Sequence, residues 1–273
     1  MAGYDEIRFA LEAATGGKNT IILDNTGLPS VMVRIPMFHW SDVIEGGEDA
    51  PCSAFVVDGR VLDCIYISKY LNVIENGRAY SLPGRDPAHT LTIDDARAAC
   101  AAKGEGWHLM TNAEWAAIAH WCVRNNTVPH GNSGFGKYHA AAHERGVLAP
   151  GQDRGQGNRN EMRTLTGSGP ASWNHDYTDS GIADLNGNIW EFVAGVRVLD
   201  GEIQVIPDND SALNVDESCS STLWRAIDAE GAFVAPGTPG SMKYDGVKPG
   251  ISGPEDVAVG DGFRLSTKVT NPK

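Results

Sequence analysis

The stretch GIADLNGNIWEFVAG, residues 181–195, packs two carboxylic acids, Asp184 and Glu191, among two asparagines and three glycines. A strand has no use for this many glycines, which serve where the backbone must turn tightly or enter the left-handed region. A tight turn rich in carboxylate, amide and carbonyl oxygens has two chemical uses. Its acids can accept hydrogen bonds from its own backbone N–H groups. Alternatively, its oxygens can converge on a hard cation, which takes carboxylates and carbonyls in mixture.

Other groupings are weaker. His139 and His143 stand four residues apart, a spacing that holds a metal on a helix, but the glutamate of an H-E-x-x-H site is missing and the surroundings read as loop. Ser133 sits in Gly131-Asn132-Ser133-Gly134-Phe135, where the second glycine falls one place early for a nucleophile elbow. Gly134-Phe135-Gly136-Lys137 is too short for a phosphate loop, and the acids of Glu45-Gly46-Gly47-Glu48-Asp49 read as a solvated face. The five cysteines, Cys52, Cys64, Cys100, Cys122 and Cys219, are odd in number and contain no C-x-x-C pair, so reduced and mostly buried thiols are expected.

The elements that must position these residues are legible in part. Residues 4–15 read as an amphipathic helix, and NTIILDNTGLPSVMVRIP as two strands around an Asn-Thr-Gly turn. Asp58-Gly59, Asn76-Gly77 and Asp200-Gly201 mark hairpins. Thr92 with Asp95 begins a helix that Gly104 stops. Thr111 and Glu114 form a capping box for a second helix, whose buried stripe is Trp115, Ile118, Ala119 and Cys122. Cys100 and Cys122 fall on the apolar helix faces. Residues 125–177 carry no period and read as loop, strand signals return over NIWEFVAGVRVLDGEIQVI, and a final strand is expected in DGFRLSTKV. The fold class is therefore α+β, with two principal helices, short antiparallel strands and long loops. Ordered loops of such length are usually functional.

The 273 residues carry a formal net charge of −13, which disfavours nucleic acid and anionic membrane as partners. No apolar run is long enough for a membrane-spanning helix. MAGYDEIRFALEAATGG has no apolar signal region, so synthesis in a cytoplasm is expected, with release by lysis or as part of a particle.

Three pieces in order carry a resemblance: Trp107-His108-Leu109-Met110-Thr111-Asn112-Ala113-Glu114-Trp115, then Asp184-Leu185-Asn186-Gly187-Asn188-Ile189-Trp190-Glu191-Phe192, then Gly262-Phe263-Arg264. Together they resemble the formylglycine-generating-enzyme (sulfatase-modifying factor) family, a branch of the C-type lectin-like fold. Pro129-His130-Gly131-Asn132 is similar to that family's P-W-G-N turn, with His130 in place of Trp. The resemblance runs from about Arg34 to Val269. It implies a structural Ca²⁺ held by the carboxylates of Asp184 and Glu191 and the backbone carbonyls of Gly187 and Ile189, with Trp190 as a core anchor. It does not carry over the enzyme's copper chemistry, because the segment around Cys219 lacks the second cysteine that thiolate ligation requires.

Without that cysteine pair, the layout is similar to the form of this fold used by phage and retroelement-diversified receptor-binding proteins. The expectation is a non-enzymatic phage-particle protein, at a tail tip or fibre, that recognises a host cell-surface protein or glycan through C-terminal loops. Trp224, Arg225, Asp228, Glu230, Phe233, Tyr244 and Asp245 are the candidate contacts, being aromatic and adaptable polar residues set among glycines and prolines. Residues 1–50 are expected to form an attachment or oligomerisation element, binding other virion proteins or building a trimer, and residues 51–273 the ligand-binding domain. The alternatives are a capsid decoration or collar protein, and a divergent metal-dependent oxidase using histidines such as His130, His139 and His143.

Overall fold

A computed structural model describes residues 2–152, 162–243, 256–258 and 264–266. Helix α1 (Ala2–Thr15) leads into β1 (Asn19–Leu23) and β2 (Pro29–Pro36), which pair antiparallel, as the alternating apolar residues require. A short helix α2 (Trp40–Val43) follows, then the small hairpin β3 (Val56–Val57) and β4 (Arg60–Val61). Strand β5 (Cys64–Ser68) pairs with β2, giving a sheet of order β1-β2-β5. Strands β6 (Asn72–Glu75) and β7 (Arg78–Ser81) form another hairpin. At its turn Asn76 and Gly77 both have positive φ, 51° and 74°, as a right-twisting two-residue connection demands.

Both long interior helices begin where their caps predict. In α3 (Ile93–Ala101) the Thr92 side chain accepts from Asp95 N–H, and Asp95 accepts in return from the Thr92 backbone. In α4 (Asn112–Arg124), Thr111 and Glu114 exchange the same pair of bonds. The core gathers around α4. Ile118, Ala119 and Cys122 are buried against Val33 and Ile35 of β2, Ile65 and Ile67 of β5, Trp40 and Phe55, while Trp115 is only partly buried.

The C-terminal half supplies β8 (Val196–Leu199), β9 (Glu202–Val205), β10 (Arg225–Ile227) and β11 (Phe233–Val234), a sheet of order β11-β10-β9-β8, and a last hairpin of β12 (Asp256–Ala258) with β13 (Arg264–Ser266). The class is thus mixed α and β, with few helices and small antiparallel sheets.

Two expectations change. Residue 50 is no structural break: β2 pairs with β5 across it, and Trp40 and Val43 share the core with α4, because the β2 apolar face must be covered by the later chain. Among the described elements α1 stands apart, nearly all of it exposed, with Ile7 and Phe9 facing solvent. Second, residues 188–193 form no strand: Asn188 and Ile189 make a bend and residues 190–193 are irregular. The backbone leading into them is spent on a turn, with positive φ at Asp184, Gly187 and Asn188. Among the described residues, no helix is long and apolar enough to cross a membrane.

Candidate functional site

The glycine-rich turn is held from both ends. Ala183 N–H donates to Lys69 O at 2.8 Å, and Ile182 N–H donates to His175 Nδ1 at 2.8 Å. At the far end Ala194 N–H donates to Met110 O, and Asn112 N–H returns a bond to Ala194 O, so the turn is clasped to the start of α4. Its middle lies against the Pro129–Asn132 turn. Asn188 N–H donates to Asn132 O at 3.0 Å, and Asn186 Nδ2 donates to Pro129 O at 2.9 Å.

The approach is backbone to backbone. A Cβ on Gly187 would come within 2.3 Å of Asn132 O, and one on Gly131 within 1.7 Å of Asn186 O. That contact, together with a φ of 76° at Gly187, explains why these two positions are glycine. Asn188 completes the clamp like a piece of strand: its amide accepts from Thr164 N–H at 2.7 Å and donates to Thr164 O at 3.1 Å. The three sequence stretches 107–115, 129–132 and 184–194 are thus brought into one assembly.

Of the two acids, Asp184 lies inside it and Glu191 at its exposed edge. Asp184 is buried, and its carboxylate accepts from Gly167 N–H at 2.6 Å. Burial pushes its carboxyl up to about 6 despite that bond. Burial in the protein mass, and then the charge of Asp184, push the Glu191 carboxyl up to about 8. Glu191 is nonetheless reached by solvent, because it lines a large cavity behind the turn. Among the described residues no basic side chain pairs with either acid. Nor do three His, Cys, Asp or Glu side chains gather there into a metal-holding group. A cation here would rest on these two carboxylates and on carbonyls, the donor set Ca²⁺ takes and a softer metal does not. Of those carbonyls, Gly187 O accepts from Ile189 N–H at 2.8 Å and keeps a second lone pair.

Trp190 is not the core anchor the sequence suggested. It is 98% exposed and lines the same cavity. The tight turn turns its ring away from the packed elements.

The candidate contacts of the C-terminal loops separate. Trp224 is buried, its Nε1 donating to Ser218 O at 3.1 Å and its ring covered by the Arg197 guanidinium at 4.4 Å, so it ties the loop down rather than meeting a ligand. Asp228 is committed to the β10–β11 turn, accepting from Glu230 N–H and Ala232 N–H. Arg225 is half-buried and donates to the Thr222 and Trp224 carbonyls. Glu230 and Phe233 are exposed on the hairpin, and Leu223 joins them at the surface. Tyr244 and Asp245 lie outside the described residues, as do Gly262 and Phe263, while Arg264 begins β13.

His139 and His143 do not share a helix; both lie in an exposed turn, with His139 Nδ1 2.9 Å from Ser133 Oγ. His130 stacks on Tyr138 at 4.2 Å and meets Glu144 at 2.9 Å. The cysteines are free thiols; burial pushes Cys52 up to about 12 and Cys100 up to about 11.

The sequence reading missed three groups. Gly167 supplies the N–H that holds Asp184, Thr164 mates with Asn188, and His108 Nε2 lies 2.9 Å from the buried Glu114 carboxylate. Only His108 carried a signal, through its place just before a capping box.

No family model and no curated protein matches the chain.

Proposed function

We propose that this chain is a binding module of a phage particle, at a tail tip or fibre, that recognises a bacterial surface ligand through the loops around β10 and β11. The observation that carries this reading is a long irregular segment pinned by buried side chains yet showing apolar and charged side chains at its surface. Residues 206–243 contain little regular structure beyond β10 and β11. Buried anchors fix them. Trp224 packs beneath Arg197, and the buried Glu202 carboxylate accepts from Gly237 N–H, Ser241 Oγ, Gln204 Nε2 and Lys243 Nζ. Leu223 and Phe233 are left 39% and 38% exposed beside Glu230. Loops pre-set by a rigid scaffold bind without a large ordering cost, and exposed aromatics on them are suitable anchors. The particle setting rests on the resemblance to C-type lectin-like receptor-binding proteins. In this reading Asp184 and Glu191, with the Gly187 and Ile189 carbonyls, hold a structural Ca²⁺. The ion would neutralise the two acids and fix the turn against α4.

The test is binding of fluorescently labelled protein to a panel of intact bacteria, in Ca²⁺ and in chelator. Phe233→Ala is expected to weaken binding by about 1–2 kcal/mol, the loss of a peripheral anchor, with the melting temperature nearly unchanged. Trp224→Ala is expected to cost about 3–5 kcal/mol of stability, the range for emptying a buried aromatic site. Wild-type binding by Phe233→Ala, Glu230→Ala and Arg225→Ala alike would sink the assignment of this face. Binding to particle proteins and to no cell would favour a decoration protein, and stoichiometric copper or iron in the purified chain an oxidase.

A further inference from the structure

Beside Phe233, the start of α4 borders a small surface recess. The first four N–H groups of a helix find no partner within it. Three of those of α4 are taken: Asn112 N–H donates to Ala194 O, Glu114 N–H to Thr111 Oγ1 and Trp115 N–H to Thr111 O. That of Ala113 has no partner among the described residues. Asn112 and Ala113, both half-buried, line the recess, whose volume is about 30 Å³. Such a volume has room for about two water-sized groups. Ala116 and Val205 close its inner end and are already buried, so they ask for no filling. What stands unspent is polar. Ser211 is 4% exposed, and its buried hydroxyl has no hydrogen-bond partner. That hydroxyl stands beside Gly195, another wall residue, where an added Cβ would meet it at 2.6 Å. The side chains of Ser53, Asn112 and Asp208 also line the recess and make no hydrogen bond among the described residues.

We propose that this recess seats the hydroxymethyl arm of a neutral sugar whose ring lies against Phe233; the inference rests on the reading of the β10–β11 loops as the ligand face. A buried polar group left without a partner costs about 1–3 kcal/mol, so the Ser211 hydroxyl gains from a group that reaches it. That group must both donate and accept. Asp208 only accepts when ionised, Ala113 N–H only donates, and Ser211 does either. A hydroxyl meets all three, whereas an ammonium only donates and a carboxylate only accepts. The carbon that carries the hydroxyl suits the Ala116 and Val205 end. At the mouth, Ser53 and Asn112 meet further ring hydroxyls, and Phe233, 38% exposed, covers a C–H face of the ring. A serine or threonine of a protein partner brings a single hydroxyl and leaves these groups idle. Charge sets the class of sugar. Burial and then the neighbouring charge of Asp210 raise the Asp208 carboxyl, and a second anion there would be repelled by both acids.

Full-length protein with isotope-labelled amides is titrated by nuclear magnetic resonance. The probes are the methyl glycosides of glucose, galactose, mannose and N-acetylglucosamine, with methyl glucuronide as the acidic counterpart. At least one neutral glycoside is expected to shift the Ala113 amide and the Asn112 side-chain amide, with a millimolar dissociation constant, while the glucuronide leaves both in place. Asp208 has a left-handed backbone, φ 52°, which asparagine also tolerates. Asp208→Asn should therefore fold and weaken the glycoside about three- to tenfold, the worth of one hydrogen bond. Ala113→Leu fills the recess and should abolish the shifts. Amide signals far from the recess check its fold, and if it does not fold, Asp208→Asn with Ser53→Ala replaces it. Three outcomes overturn the proposal: no neutral glycoside moves Ala113, the variants bind as wild type does, or the glucuronide binds equally well. Intact bacteria separate this inference from the reading beneath it. Periodate, which cleaves neighbouring hydroxyls, should remove cell binding, and protease treatment of the cells should spare it. Binding that needs Phe233 yet survives periodate keeps the ligand face and overturns the sugar. Glycoside shifts in a chain that binds no cell keep the sugar site and remove the host-cell reading.

Discussion

At Asp184 and Glu191, two acids share one turn with no described basic partner, and the folded protein raises the proton affinity of both. The sign of the consequence follows from linkage. A carboxyl whose folded-state value lies above its unfolded value binds more protons when folded, so stability falls as pH rises from the unfolded value through the folded one. In chelator, the pair should destabilise the protein progressively from about pH 4 to about pH 8, the unfolded carboxylate value and the Glu191 value. Ca²⁺ held at the turn, as proposed, would reverse this by binding the ionised pair. Glu191→Gln should therefore flatten the decline measured in chelator and abolish the Ca²⁺-dependent rise in melting temperature. Melting curves at pH 5 and pH 8, with Ca²⁺ and with chelator, check both halves. If chelator leaves the wild-type curve unmoved at pH 8, the cation assignment fails.

At the scale of elements, the start of α4 carries more than a cap. Glu114 is buried and accepts from Thr111 N–H and Asn209 Nδ2 while facing His108. Burial opposes both charges, but the pair overcomes it: His108 is held above its ordinary value by Glu114, and Glu114 below its own by His108 and the Thr111 N–H. The stability from Glu114 is present above the ordinary glutamate range and lost as pH falls; that from His108 is lost as pH rises through its raised value. Glu114→Ala should cost about 3–5 kcal/mol, the range for breaking a buried pair, as read by urea unfolding. A loss under about 1 kcal/mol would reduce Glu114 to an ordinary cap. This helix was legible in the sequence because a capping box is local, four residues long and unambiguous. The Asn76-Gly77 and Asp200-Gly201 hairpins were legible for the same reason. The clasp between Ala194 and α4 was not, since it joins residues far apart in the chain, and neither was the burial of Trp224. An aromatic among glycines reads alike whether it anchors a loop from beneath or displays itself above; only the position of Arg197 decides. The turn at residues 184–191 lay between these cases: its glycines announced a tight bend, but Ile189, Trp190 and Phe192 mimicked a strand.

For the molecule as a whole, the part without a home is α1. Among the described elements it packs chiefly on β1, and its residues are exposed along nearly the whole length. Ile7 and Phe9 stand 55% and 74% exposed, and Tyr4 joins Ile7 one turn back along the same face. An amphipathic helix that rests on one strand has little packing to stabilise it, and short helices are marginal alone in water. Contact with other copies would supply that packing, and multiple copies would raise the avidity of a weak ligand face without any new contact at that face. The full chain is therefore expected to sediment as a closed oligomer, a trimer in the simplest arrangement. Ile7→Lys/Phe9→Lys should shift it to monomer. Because α1 lies outside the α4 core, the melting of that core should move by no more than about 0.5 kcal/mol, the usual range for surface changes. Binding to cells should weaken far more than binding of a soluble ligand to one site, since only the first depends on copy number. Sedimentation velocity across a concentration series decides it: a wild-type chain that stays monomeric throughout removes the role for α1, and a core that melts early in the variant shows the helix to be part of the fold.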